Sequence, residues 1–362
     1  MSFIAIKHMT KVKVALAGIG NCASALIQGT LKYSDPASDS VGLLSYSLGG
    51  ITPADIEFVA GFDVDSRKVG KDLSEAIFSG MNNTPKFHDV PKMGVSVKKG
   101  PVLDGIGKYL KEVIPISDQP EADLVRELKD SGAEMLVNYL PVGSTNAVHA
   151  YAEAALKADV AFVNAMPVFV ASDTNWSKRF EERGLPVAGD DVMSQIGATV
   201  LHKTLIKLLH DRGAKVEETY QLNIGGDTDF LNMLEESRLA DKRESKTSAV
   251  RAMTPYPVPT RIGPSDYVGF LKNDKVCYIW IKGRYFGNTP VTIEAKLHVV
   301  DAPDSGGVMI DAIRGTKVAL DRGVSGQLVS LSSYCFKHPP LQLPYEEAKR
   351  RFLEFIEGER ER

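Results

Sequence analysis

Apolar positions along the chain follow two regimes, and the change near residue 215 predicts two kinds of sheet. In the first regime, short β-branched runs ending at glycine or asparagine alternate with amphipathic stretches. KVKVALAGIG (11–20) reads as a buried strand entering a tight turn, and CASALIQGTLKY continues at helical spacing. DIEFVAGFDVD (55–65) predicts a second strand, and SRKVGKDLSEAIF (66–78) a helix after it. AEMLVNYLP (133–141) and VAFVNAMP (160–167) predict two more strands with the helix NAVHAYAEAALKA (146–158) between them. LPVAGDD (185–191) predicts a strand end, and GATVLHKTLIKLLHDRG (197–213) a helix stopped by Gly213. Strands alternating with helices imply a parallel, doubly wound α/β sheet.

In the second regime the strands lengthen and alternate. ETYQLNIGG, KVCYIWIKGRYFG and TPVTIEAKLHVVD predict a mostly antiparallel sheet, after which GVMIDAIRGTKVALDRG (307–323) returns to an amphipathic helix. We therefore expect one domain from residues 1–200 and 305–362, interrupted by an α+β domain at 201–304. The terminal YEEAKRRFLEFIEGERER reads as a surface helix with solvated charges and a frayed end.

Composition narrows the function. A net charge of −3 over 362 residues gives no reason to expect nucleic acid or an anionic membrane as partner. Cys22, Cys277 and Cys335 lack CxxC spacing, so neither a cysteine zinc site nor a disulfide framework is expected, and a reducing cytoplasm fits. MSFIAIKHMT lacks the pattern of a signal peptide, and no apolar run is long enough to span a bilayer, so a soluble, cytoplasmic protein is expected. His88, His149, His202, His210, His298 and His338 show no HxH or HxxxH spacing, so no histidine metal site is indicated. His202 and His210 read as packing or surface residues of one helix.

GIGNCA (18–23) matches GxGxxA: Gly18 permits the turn, Gly20 lets the backbone approach a pyrophosphate, and Ala23 permits close helix packing. The strand before it and the helix after it make this a Rossmann-type dinucleotide turn, with free helix N–H groups for the phosphates. The ribose-binding acid, expected about 20 residues on, is best matched by Asp63, which lies 45 residues beyond Gly18; an insertion through 34–50 accounts for the difference. Asp63, like Asp65, is also placed to cap the next helix. An acid here favours NAD over NADP, and Arg67 and Lys68 blunt that preference.

Lys242 and Lys246 are four apart and share a helix face. On spacing alone they read as a solvated strip with Asp241, Arg243 and Glu244. Their company argues otherwise: Asp227 and Asp229 on a glycine-rich turn, a GDD turn at 189–191, and Lys275 and Lys337 in apolar surroundings. Lysines gathered in a dry site serve as bases or as donors to a developing oxyanion.

Several stretches, in order, carry a further signal: VALAGIGNCASALIQG, FDVDSRKVGKDLSEAIF, NYLPVGS, FVNAMPVFVAS, GDDVMSQIGAT, NIGGDTDFLNMLEESRLADKRESKTS and IDAIRGTKVALDRG. Together they resemble the myo-inositol-1-phosphate synthase family, closest to its bacterial form, from about residue 11 to the C-terminal helix. The resemblance implies conversion of D-glucose 6-phosphate to inositol phosphate with no net redox change, in the service of inositol and phospholipid biosynthesis. Its steps would be oxidation at C5, enolisation at C6, attack on the C1 aldehyde and re-reduction at C5, with NAD regenerated.

The resemblance also implies catalytic roles for Lys242, Lys246, Lys275, Lys337, Asp191, Asp229, Asp301 and Asn223. It implies phosphate binding by Ser194, Lys246 and Lys275, and cofactor binding by Gly18, Gly20, Asn21, Ser24, Asp63, Asn138, Asn164 and Asp190. Asn138 and Asn164 also suit strand-end turns. Asp227 departs from the family, where asparagine is common. The family implies a homotetramer built on the inserted sheet, and some relatives use a divalent and others a monovalent cation. Two other readings stay open: a simple NAD-dependent sugar-phosphate or alcohol dehydrogenase, and a non-catalytic NAD-sensing scaffold.

Overall fold

A computed structural model describes residues 11–362, apart from the side chains of Ala240 and Pro264. The N-terminal segment read above for a signal peptide lies outside the described residues. The strands are β1 (Val12–Ala17), β2 (Ile56–Asp63), β3 (Val97–Lys99), β4 (Met135–Asn138), β5 (Ala161–Asn164), β6 (Pro186–Gly189), β7 (Lys215–Gly225), β8 (Thr260–Tyr267), β9 (Asp274–Tyr285), β10 (Thr289–Val300) and β11 (Gly326–Gln327). The helices are α1 (Asn21–Lys32), α2 (Leu73–Ala76), α3 (Leu124–Ser131), α4 (Thr145–Ala158), α5 (Thr174–Glu182), α6 (Ala198–Asp211), α7 (Thr228–Asn232), α8 (Ala240–Arg251), α9 (Asp301–Asp321), α10 (Val329–Cys335) and α11 (Tyr345–Glu357).

Seven strands form one parallel sheet in the order β11-β6-β5-β4-β1-β2-β3, and four form a second in the order β10-β9-β7-β8. Helices cover both faces of the first. On one side α1, α9, α10 and α11 bury Leu26, Ile27, Ile310, Ile313, Leu331 and Phe352 against Val14, Leu16 and Val163. On the other, α3, α4 and α5 bury Leu128, Val148, Tyr151 and Phe180 against Ala15, Ala17, Leu136 and Phe162. These are the inward and outward positions of the same strands, which is why the strands read as continuous apolar runs.

In the second sheet β7, β9 and β10 pair antiparallel, as their alternation predicts. Cys277, Ile279 and Ile281 face α6 and α8, while Tyr220, Leu222 and Tyr278 face outward. Strand β8 runs parallel to β7 and escaped prediction, because Gly263 and Pro264 break its β-forming pattern.

Two expectations are corrected. Only Leu73–Ala76 of the predicted helix 66–78 is helical: Gly70, at φ +87°, turns the chain, and the cap is Asp72, which accepts from the Ser74 N–H, rather than Asp63 or Asp65. The C-terminal helix is not wholly a surface element. Phe352 and Phe355 are core residues, and Arg362 Nη1 donates to Glu181 Oε1 at 2.9 Å, tying down the end expected to fray.

Candidate active site

A cleft runs from the ends of β1 and β2 to the near edge of the second sheet, and it is lined at one end by Gly18, Gly20, Asn21 and Asp63. Counted out to its open mouth it encloses about 1530 Å³.

The glycine turn is shaped by close packing. Gly18 sits at φ +90°, and a Cβ there would lie 2.7 Å from the Tyr139 carbonyl oxygen, so only glycine is accommodated. A Cβ on Gly20 would meet nothing within 4 Å, so that side is open to the cleft. Gly20 precedes α1, whose first N–H groups have no partner within the helix. Asp63 Oδ2 accepts from Ile19 N–H at 2.9 Å, which fixes the carboxylate against the turn. Lys68 is buried beside it, its Nζ 3.4 Å from Asp63 Oδ2 and 2.8 Å from the Ile19 carbonyl oxygen. Arg67 is engaged with Asp65 instead.

At the far end all four lysines converge. Lys242 and Lys246 reach in from α8, Lys275 from the start of β9, and Lys337 from the turn after α10. Asp191 anchors two of them. Its Oδ1 accepts from Lys242 Nζ at 3.4 Å and Lys337 Nζ at 3.3 Å, and its Oδ2 from Ser245 Oγ at 2.6 Å. The backbone holds this pairing in place: the Asp190 and His338 N–H groups donate to each other's carbonyls, and Lys337 N–H donates to the Asp191 carbonyl. Asp191 itself adopts φ +61°, a left-handed conformation that aspartate tolerates better than most residues. Asp301 accepts from Lys275 Nζ at 2.7 Å, and Asp229 Oδ2 lies 3.8 Å from Lys242 Nζ.

Charges in this pocket are tuned by burial and by one another. Burial alone would raise the Asp191 carboxyl, but Lys242 and Lys337 bring it down to about 2. Burial opposes the Lys242 charge, yet Asp191 and Asp229 hold its pKa above the ordinary value. Lys246 makes no salt bridge among the described residues; burial, then Lys242, Lys275 and Lys337, pull it down to about 7. Burial also lowers Lys337, with its neighbouring cations adding to the effect. Burial followed by Asp301 and Asp229 raises Asp227, whose carboxylate caps α7 through the Asp229 and Phe230 N–H groups.

Behind Ser194, Lys246, Lys275 and Lys337 the cleft continues into a small polar recess formed with Gly197, Thr199, Gln221 and Asn223 at the N-terminus of α6. Asn223 thus belongs to the recess rather than to the main cleft. Gly197, Thr199 and Gln221 were missed by sequence reasoning. SQIGAT opens a helix, as GIGNCA does, and that was the available signal.

Four predicted cofactor residues are placed differently. Asn138 Nδ2 donates to Asn164 Oδ1 at 2.8 Å, Asn164 Nδ2 donates to Asp190 Oδ1 at 2.7 Å, and Asp190 accepts from Val170, Ala171 and Ser172 N–H. All three are fully buried, and none lines the cleft. Their strand-end turns need these hydrogen bonds, so the side chains are turned inward. Ser24 is likewise buried away from the cleft, accepting from Gln28 Nε2. Cys22, Lys68, Asn82 and Ser305 line the cleft without having been proposed as contacts.

The parallel sheet, the glycine turn at its carboxyl edge and the cleft of buried lysines and aspartates define a Rossmann-type α/β enzyme. Residues 197–302 match the family model described as myo-inositol-1-phosphate synthase. The inositol-3-phosphate synthase of Mycolicibacterium smegmatis is 48% identical over 361 residues, spanning 97% of this chain and 99% of that one. A myo-inositol-1-phosphate synthase-related protein from Thermotoga maritima superposes with a TM-score of 0.82 at 26% identity, covering 96% of this chain and 98% of that one. The inositol-3-phosphate synthase of Caenorhabditis elegans shares the fold, with a TM-score of 0.76 at 14% identity over 96% of this chain and 85% of that one. The chain belongs to the myo-inositol-1-phosphate synthase family.

Proposed function

We propose that the chain is an inositol-3-phosphate synthase, converting D-glucose 6-phosphate to 1D-myo-inositol 3-phosphate with NAD regenerated in each turnover. The observation that carries this reading is the convergence of Lys242, Lys246, Lys275 and Lys337 with Asp191, Asp229 and Asp301 at one end of a cleft whose other end is the glycine turn. Simple hydride transfer from an alcohol needs one base and one orienting group, not four cations. The residues also fit the cofactor: the open side of Gly20, the free N–H groups of α1 and the fixed Asp63 carboxylate suit a pyrophosphate and a ribose.

NAD, held at the glycine turn by Gly18, Gly20 and Asp63, would supply the hydride acceptor and donor for the substrate's C5. The protein's own contribution is charge and orientation. Lys246 and Lys275, with Ser194 and the N-terminus of α6, hold the phosphate. Lys242 and Lys337 donate to the oxygens that become alkoxide or enolate, where a preorganised ammonium is worth most. Asp191 keeps these two cations in place, and Asp229 and Asp301 orient Lys242 and Lys275. For a divalent ion the described residues offer no cluster of three or more histidine, cysteine, aspartate or glutamate ligands, so no step is routed through one.

The same proposal assigns cofactor binding to 1–200 with 305–362, and catalysis and assembly to 201–304. The exposed Tyr220, Leu222 and Tyr278 on the outer face of the second sheet support a homotetramer built there. Three unpaired cysteines suit the cytoplasm. Among the described residues no helix is long and apolar enough to cross a membrane.

Incubation with glucose 6-phosphate and catalytic NAD, followed by phosphorus NMR, should show inositol phosphate accumulating with no build-up of reduced nicotinamide. Stoichiometric reduced nicotinamide without cyclised product would make the chain a dehydrogenase instead.

A further inference from the structure

The carboxylate at the end of β2 is largely committed within the chain. Asp63 Oδ1 accepts from Val64 N–H at 2.7 Å and Asp65 N–H at 2.9 Å, which uses both of its lone pairs, and Oδ2 accepts from Ile19 N–H at 2.9 Å. Oδ2 alone can take a further donor from the cleft. Beside it lies Lys68, buried, with Nζ 2.8 Å from the Ile19 carbonyl oxygen, 3.1 Å from Asn82 Oδ1 and 3.4 Å from Asp63 Oδ2. Three acceptors occupy its three hydrogens, so Lys68 acts on a ligand in the cleft through its charge and not through a free donor. Among the described residues it is the one cation within salt-bridge distance of Asp63. Arg67, its neighbour in sequence, is engaged elsewhere: Nη2 lies 2.6 Å from Asp65 Oδ2 and 2.9 Å from the Val113 carbonyl oxygen. Two ion pairs whose charges cancel, Asp63 with Lys68 and Asp65 with Arg67, therefore border this end of the cleft.

We propose that Lys68 is a specificity-determining residue: by cancelling the Asp63 charge, it leaves the pocket to tell NAD from NADP by one hydrogen bond rather than by repulsion. This rests on the reading that the glycine turn and Asp63 hold the cofactor's adenosine ribose. A lone carboxylate at this position acts on a 2′-phosphate in two ways, through the lost hydrogen bond from the 2′-hydroxyl and through repulsion of the added charge. With an ammonium 3.4 Å from the same oxygen, the two opposite charges largely offset each other at the distance of a ligand, and the first effect remains. The single lone pair left on Oδ2 limits that loss to one hydrogen bond. The expectation that Arg67 and Lys68 both blunt the preference is corrected in its first half, because Arg67 already serves Asp65.

Calorimetry of the full chain with NAD and with NADP gives the test, read as the ratio of the two Kd values. The wild type should bind NADP about 10- to 150-fold more weakly than NAD, the worth of one hydrogen bond to a charged group. Lys68→Met leaves Asp63 unbalanced and should raise that ratio by about tenfold or more. The fold should tolerate the change, because the Ile19 carbonyl keeps Asn82 Nδ2 as a donor at 3.0 Å. Lys68→Arg retains the charge and should stay within a few-fold of the wild-type ratio. A clamp without an electrostatic role would weaken both dinucleotides alike, so an unmoved ratio in Lys68→Met would refute the proposal. A wild-type ratio beyond about 10³ would refute it too, and that measurement needs no variant. A wild type that binds neither dinucleotide would overturn the cofactor reading as well, whereas NAD binding and inositol phosphate formation with an unmoved ratio would overturn this proposal alone.

Discussion

The two ends of the cleft are built by opposite means. The glycine end works largely through backbone: a turn held by the close approach of Tyr139, the N-terminus of α1, and one carboxylate pinned by the Ile19 N–H. The lysine end works through side-chain charge, with Lys242, Lys246, Lys275 and Lys337 facing Asp191, Asp227, Asp229 and Asp301, four lysines and four aspartates drawn from distant parts of the chain. Damage should therefore be steric at one end and electrostatic at the other. Substitutions that separate the two test whether cofactor binding and cyclisation are independently built.

The largest separation is expected from Lys242→Ala and Lys337→Ala. Each removes a donor aimed into a buried pocket, which should lower inositol phosphate formation by about 10²–10³-fold or more, while NAD affinity measured by calorimetry stays within a few-fold. Each also leaves Asp191, almost fully buried, with only one of its two lysine partners, so the melting temperature should fall. A loss of NAD affinity as large as the loss of turnover would show that the two ends are one unit, and near-normal turnover would reduce the cluster to a solvated strip.

A smaller effect, in the opposite sense, is expected from Gly18→Ala. The new Cβ meets the Tyr139 carbonyl at 2.7 Å in a backbone region that L-residues avoid. Strain of about 1–3 kcal/mol is relieved if the free turn shifts, and binding must then restore it. NAD affinity should drop by about 5- to 150-fold, with kcat at saturating cofactor within a few-fold. Unchanged NAD affinity would mean that the turn's geometry does not set cofactor recognition.

This contrast also explains what could be read from the amino acids. The strand, turn and helix around Gly18 are contiguous, and each local preference agrees with the final fold, so that end of the cleft was legible directly. The lysine end was legible only through resemblance, because spacing cannot show that Lys275 and Lys337, 62 residues apart, meet across two sheets. Asn138, Asn164 and Asp190 lie away from the cleft lining for a related reason. Their positions at strand ends beside the cleft are those of ligand-binding residues, yet the adjoining turns claim their side chains.

Asp227 lies where the two ends meet, and its replacement by asparagine is the mildest test. The carboxylate caps α7, accepting from Asp229 N–H at 2.9 Å and Phe230 N–H at 3.1 Å, and asparagine caps as well as aspartate does. What changes is charge. Burial first, then Asp301 and Asp229, raise the Asp227 pKa, and Lys275 only partly offsets them. A carboxyl whose folded pKa is raised keeps its proton in the folded state after the unfolded chain has released it. Folding is therefore progressively disfavoured as pH climbs from about 4, the ordinary carboxylate value, through the raised folded pKa. Asp227→Asn removes that term, so the variant should melt close to wild type at pH near 4 and gain on it by about 2–4 °C per kcal/mol removed on approach to neutrality, with turnover within a few-fold. Melting curves that stay parallel across this range would mean that Asp227 is ionised at no cost in the folded protein, and that the lysine end compensates a fourth carboxylate as fully as it does the other three.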